Sequence, residues 1–168
     1  MLNSVNEEKL TSKEKDRKRF TLTPGEYERL VQKIVDGCSN QPNLEKHKCG
    51  ARNKILGNSG YKHQIDVSFR YKDTGKFLLI ECKQCGRRIT VEDLILFQGR
   101  ITDIGLKEGQ IPAGIMCSAQ GYTKGAEKYA KAYGIILNEV KDSADFSIVY
   151  PKVGNVVQLS IGERQNVR

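Results

Sequence analysis

Asp66, then Glu81 and Lys83, form a D-x14-E-x-K arrangement in the middle of the chain, the residue types of a hydrolytic metal centre. Side chains alternate along a strand, so Glu81 and Lys83 share one face while Ile80 and Cys82 point to the other. A hairpin joining this segment to the one around Asp66 would bring the two carboxylates together. Ionised carboxylates at the end of the apolar run Phe77-Leu78-Leu79-Ile80 are costly unless something compensates them. A hard divalent cation does so: Mg²⁺ takes one or two carboxylates and keeps several waters, with Mn²⁺ as a substitute. The Lys83 ammonium would orient or help deprotonate an attacking water, or stabilise charge on a phosphate in the transition state. The alternative is a surface salt bridge between Glu81 and Lys83 with Asp66 capping a turn.

The elements that must hold these residues are legible around them. Thr23-Pro24-Gly25-Glu26 offers an N-cap, a proline at the first helical position and a capping-box acid. Tyr27, Leu30, Val31, Ile34 and Val35 follow as an amphipathic helix that Gly37 can end. Residues 38–60 leave room for one short strand around Leu44–Lys48. From Tyr61 to Arg70 the period is two, predicting one strand with Ile65, Val67 and Phe69 on one face and Asp66, Ser68 and Arg70 on the other. Residues 71–76 read as a hairpin loop leading into the strand from Phe77. Thr90 and Asp93 can cap a helix with the stripe Leu94, Phe97, Ile101 and Ile104. A strand over Ile111–Cys117, a helix over Thr123–Tyr133 closed by Gly134 and a strand over Ile135–Val140 complete the pattern. Alternating strands and helices after residue 77 imply parallel pairing. The fold class is therefore α/β, a mixed sheet with an antiparallel hairpin at one side and helices over its faces. An added hairpin is expected around residues 151–155.

Composition agrees with one ordinary domain: 168 residues, 38% of them hydrophobic. No long apolar run is present, which excludes a spanning helix, and the polar N-terminus is unlike a secretory signal; a cytoplasmic protein is expected. The net charge of +8 is concentrated. Between residues 45 and 88 eleven Lys and Arg face only four Asp and Glu, so seven of the eight net charges fall there. A basic segment holding a few isolated acids is what a phosphate-binding surface around a metal site would look like; a solvated basic face is the plainer alternative.

HQIDVSFR, LLIECK and the later run CSAQGYTKGAEKYAKAYGIIL resemble the Mrr-type catalytic domain of restriction endonucleases, within the PD-(D/E)XK nuclease superfamily. The likeness extends from about Pro24 to Val140, and the spacing of Ser118, Gly121, Tyr122, Thr123, Ala126, Tyr129, Ala130 and Gly134 is its most specific part. The resemblance implies a restriction-endonuclease-like αβββαβ core, matching the element order above. It implies that Asp66 and Glu81 bind the metal, joined by the backbone carbonyl of Cys82, with Lys83 the catalytic lysine. Ile65 stands where the superfamily name has proline. Family members often carry an acid after an aromatic on the first helix. Glu28 could therefore reach the metal through water, or be an exposed helix acid. The implied organisation is a flexible tail over 1–22, a nuclease domain over 23–141 and a C-terminal hairpin extension over 142–168. That leaves no room for a separate target-recognition domain, so a separate targeting or recognition subunit is a candidate partner.

The resulting expectation is a Mg²⁺-dependent DNA endonuclease. Alternatives are a DNA repair or Holliday-junction-resolving nuclease on the same fold and a non-catalytic nucleic-acid-binding module. Arg52, Lys62, Arg87 and Arg88 are the expected DNA-binding residues. His63 could touch a phosphate near Asp66, and Gln98, inside the stripe of the second helix, could support the site or satisfy a core backbone group. Tyr61, Tyr71 and Phe69 could stack on bases or simply pack. Cutting two strands favours a homodimer, with Ile95 and Leu96 off the helix stripe as its contact. Cys38, Cys49, Cys82 and Cys85 could in principle bind zinc, but Cys82 is expected in the core and the other spacings are unlike a zinc knuckle. Free thiols are the simpler reading.

Overall fold

The computed structural model describes residues 23–83, 86–139, 146–152 and 155–161, without the side chains of Pro24, Glu28 and the last two strands. The tail expected over 1–22 and Cys85 lie outside the described residues. Helix α1 (Pro24–Ser39) starts on Thr23, whose hydroxyl accepts from the Glu26 amide while the Glu26 carboxylate accepts from the Thr23 amide, closing the capping box. It does not stop at Gly37. The apolar face continues through Leu30, Ile34 and Val35 to Cys38, all buried, and packing carries the helix past the glycine.

Five strands form one sheet in the order β1 (Leu44–Cys49), β4 (Val67–Tyr71), β5 (Phe77–Lys83), β6 (Ala113–Ser118) and β7 (Ile136–Glu139). The first three pair antiparallel, and β5, β6 and β7 pair parallel. Helix α2 (Val91–Glu108) connects β5 to β6, and α3 (Lys124–Tyr133) connects β6 to β7. This is the mixed α/β sheet of the restriction-endonuclease-like core. Strands β8 (Phe146–Lys152) and β9 (Asn155–Ile161) form a separate antiparallel ladder.

The single strand expected over 61–70 is two. Its first part, β3 (Lys62–Gln64), pairs with β2 (Lys54–Leu56), a strand that sequence patterning missed, in a two-stranded ladder of its own. Its second part is β4, in the main sheet. The break at Ile65 and Asp66 also reverses the predicted face. Ile65 packs with Phe77 and Leu79 under α2 and α3, whereas Val67 and Phe69 pack with Leu78 and Ile80 under α1. Alternation continued across a bend assigns the wrong side, because the phase is lost where the backbone leaves one ladder for another.

The β2–β3 hairpin contributes Ile55 to the core but depends on α2 for its position. Asp103 accepts from the Ser59 amide (2.8 Å), the Ser59 hydroxyl (2.6 Å) and His63 Nε2 (2.7 Å), and its carbonyl accepts from the Asn58 amide (2.9 Å). Gly57 lies so close that a β-carbon there would run into the Asp103 carboxylate. Elsewhere α2 seats on β6 through Gly114, where an added β-carbon would press on Ile101 and Phe97.

Two outcomes follow from this packing. Gly114→Ala should cost about 1–3 kcal/mol in denaturant unfolding, as overpacking between well-filled elements does. The hydrogen bonds from Ser59, then His63, hold the Asp103 carboxyl down to about 2. Because the folded value lies below the unfolded one of about 3.9, this stabilisation is present above about pH 4 and is lost as pH falls through about 2. Asp103→Asn should therefore destabilise the protein at pH 7, and the gap to wild type should shrink in unfolding curves taken toward pH 2.

Candidate active site

Asp66 occupies the bend between β3 and β4, and Glu81 and Lys83 lie at the end of β5. Asp66 Oδ2 accepts from the Cys82 amide at 2.7 Å, which ties the bend to β5. Glu81 is almost fully buried. Its Oε1 receives Lys83 Nζ at 3.2 Å and Arg100 Nη1, from α2, at 2.9 Å. Burial first, and then the neighbouring Asp66 carboxylate, push the Glu81 carboxyl above its ordinary value, against the downward pull of Arg100 and Lys83. The three expected residues are thus brought together, and Cys82 turns its thiol into the α1-side core, opposite Glu81.

Two residues at this site were not anticipated in their roles. Arg100 also reaches the Gln64 carbonyl, at 3.3 Å, so one guanidinium holds the end of β3 and the Glu81 carboxylate. Its signal in sequence was a base on the shoulder of the Phe97–Ile101–Ile104 stripe, a position compatible with an exposed helix charge. Tyr27 reads as a member of the apolar stripe of α1, yet its hydroxyl donates to the Cys82 carbonyl at 3.3 Å. Burial, and then the Asp66 charge, push that phenol far above its usual value, so it stays a donor. The side chain of Glu28, next along α1, is outside the description.

The remaining expectations are scattered. Gln98 donates through Nε2 to Thr102 on its own helix (3.3 Å), and its Oε1 is buried without a hydrogen-bond partner among the described residues. His63 is held by Asp103 as part of the hairpin anchor. Arg52, Lys62 and Arg88 are exposed. Arg87 is exposed too, but both terminal nitrogens are engaged by Asp93, at 2.6 and 3.0 Å. His47, on β1, bonds the buried Ser68 hydroxyl (2.9 Å) and meets Phe77 edge-on.

Asp66, Glu81 and the Cys82 carbonyl are hard oxygen donors of the kind Mg²⁺ takes. A further positive charge beside Lys83 and Arg100 would offset the desolvation and the Asp66 repulsion that raise Glu81. The donor set fits a hard divalent ion completed by water. Among the described residues no group of three or more His, Cys, Asp and Glu is arranged to hold a metal. Cys38, Cys82 and Cys117 are buried in the α1-side core and Cys49 packs at its edge.

Solved structures share this architecture. A repair endonuclease from Pyrococcus abyssi superposes with a TM-score of 0.51 at 16% identity, over 72% of this chain and 48% of that one. EndoMS in a dsDNA complex superposes with a TM-score of 0.52 at 19% identity, over 74% of this chain and 48% of that one. The chain spans about half the length of these structures. No curated protein matches. The Mrr_cat family model, described as restriction endonuclease, matches residues 21–146. That stretch runs from the start of α1 through β7 and includes every residue of the carboxylate–lysine cluster, and the chain belongs to the Mrr_cat restriction endonuclease family.

Proposed function

We propose that the protein is a Mg²⁺-dependent DNA endonuclease that hydrolyses phosphodiester bonds, with Mn²⁺ able to substitute. The observation that carries this reading is the convergence of Asp66, Glu81 and Lys83 at one end of β5 in a chain of this family. A binding-only protein has no use for two carboxylates brought together at the cost of burying one of them. DNA as the substrate is supported by the basic segment around the site and by the dsDNA complex of the structurally similar EndoMS.

In this reading Asp66, Glu81 and the Cys82 carbonyl hold the metal, which when bound supplies charge neutralisation and an activated water. The Cys82 amide fixes one Asp66 oxygen and so its orientation. Tyr27 plays the same part for the Cys82 carbonyl. Lys83, a third exposed, places its ammonium where it can meet a phosphate oxygen or the attacking water. Arg100 neutralises Glu81 and keeps the end of β3 beside it. Arg52, Lys62, Arg87 and Arg88 hold the DNA backbone, Arg87 by exchanging or sharing its Asp93 partner.

A homodimer would place one such site on each strand. Ile95 and Leu96, 49% and 67% exposed on α2, are its proposed contact. No helix among the described residues is long and apolar enough to cross a membrane. The free thiols at Cys38, Cys49, Cys82 and Cys117 suit the proposed cytoplasmic location.

The deciding experiment incubates supercoiled plasmid, linear duplex and branched DNA with the protein in Mg²⁺, Mn²⁺ or chelator. Wild type should cut only with metal, and Asp66→Ala and Lys83→Ala should each lose at least about a hundredfold in rate. Cutting that survives in both variants would sink the assignment, while the substrate ranking separates restriction from junction or repair roles. Metal loading can be followed without activity. Arg100→Ala leaves the Asp66–Glu81 pair with one cation fewer, so Mg²⁺ should raise its Tm by more than it raises that of wild type. Asp66→Ala should abolish that shift.

A further inference from the structure

The β2–β3 hairpin is an unusual expenditure of structure. It pairs with no strand of the main sheet, and an isolated two-stranded hairpin is marginal in water. It adds Ile55 to the core, yet a buried Gly57, Ser59, His63 and Asp103 are all committed to holding it in place. Its outer face explains the commitment. Lys54 lies opposite Gln64 and Leu56 opposite Lys62, all four exposed, while Ile55 and His63 turn inward. At the tip, Gly60 takes a positive φ of 83° and delivers Tyr61 to solvent at 68% exposure, edge-on to His63 at 5.1 Å. From Lys46 to Ile65 the sequence holds five Lys and Arg and no Asp or Glu. Burial does not explain an aromatic ring presented beside Lys62 on a turn that Asp103 holds in place.

We propose that this hairpin is a DNA-contacting arm in which Lys54 and Lys62 bind backbone phosphates and Tyr61 stacks on a base exposed by a local interruption of pairing. The inference rests on the endonuclease reading and deepens it by naming a substrate class, DNA with an unpaired or unstacked base near the cut. Bases inside an intact duplex offer no free face, whereas unpaired ones stack on aromatic side chains regardless of sequence. The arm is registered to the site by its own chain and by α2. Gln64, its last strand residue, precedes Asp66 by two positions, and the guanidinium that holds the Gln64 carbonyl also holds Glu81. A base captured by Tyr61 would therefore be held in a fixed relation to the proposed cleavage centre.

The test uses the full chain in chelator, so that binding is read without cleavage. Fluorescence anisotropy would compare labelled paired duplex, the same duplex with a one-base bulge, and a single strand. The proteins would be wild type, Tyr61→Ala, Tyr61→Phe and the Lys54→Ala/Lys62→Ala double variant. Tyr61→Ala should lose at least about fivefold in affinity on bulged and single-stranded DNA and less than about twofold on paired duplex, as loss of one stacked base predicts. Tyr61→Phe should keep wild-type affinity. The lysine double variant should weaken all three DNAs alike and flatten the salt dependence by about two phosphate contacts. Equal affinity of Tyr61→Ala and wild type on bulged DNA, or an equal loss on paired duplex, would overturn the stacking role. DNA affinity unchanged by all the substitutions would overturn the arm and direct it to an acidic protein surface instead. Failure of the wild type to bind any of the DNAs would overturn the endonuclease reading along with it.

Discussion

Burying the Glu81 carboxylate is the constraint around which the site is organised. β5 is the central strand of the sheet and buried along both faces as far as Cys82, so an acid near its end sits in a low-dielectric place with a second carboxylate, Asp66, beside it. The buried Glu81 charge is costly there without compensation. The fold answers with cations from two directions, Lys83 from the same strand and Arg100 from α2, both on one oxygen. Both bases keep about a third of their side-chain surface exposed, so the compensation is adjustable rather than sealed. A fully enclosed ion pair would satisfy the carboxylate and close it to the metal and phosphate proposed for it.

That requirement shapes the backbone at the opposite partner as well. Had residues 62–71 formed one uninterrupted strand, Asp66 would have been a ladder residue with its side chain perpendicular to the sheet. The bend at Ile65 and Asp66 removes it from the ladder and lets its carboxylate accept from the Cys82 amide instead. The same bend moves Ile65 into the core under α2 and α3, so one local departure both aims the acid and fills a space near it.

Much of this was legible before any coordinates. The meeting of Asp66 with Glu81 and Lys83 was expected from D-x14-E-x-K with its E-x-K after an apolar run, and the helix stripe Leu94, Phe97, Ile101 and Ile104 is buried as the period required. The parallel half of the sheet followed from strand–helix alternation. What escaped has physical reasons. β2 is only three residues long, below the length at which period two is detectable. The bend at Asp66 carries no glycine or proline, and its stabilising hydrogen bond is made sixteen residues further along, so patterning carried a strand through it. Arg100 and Tyr27 each satisfy a local role, helix surface and apolar stripe, which conceals the long-range contact that matters.

Helix α2 then connects the β2–β3 hairpin to the carboxylate pair. Asp103 and Arg100 are three residues apart, neighbours on one flank of the helix. Asp103 grips the tip of the β2–β3 hairpin, and Arg100 grips its end together with Glu81. The buried stripe is locked onto β6 through Gly114 and packed beside α3. A rigid rod anchored in the core therefore fixes the hairpin and the buried carboxylate to each other through adjacent turns. Displacing either contact would disturb the other, since both hold the segment that leads directly into Asp66. The distance from the hairpin's outer face to the carboxylate pair is thus set by one helix and one strand bend rather than by loop flexibility, which is the property a surface needs if what it grips is to bear on where the chemistry occurs.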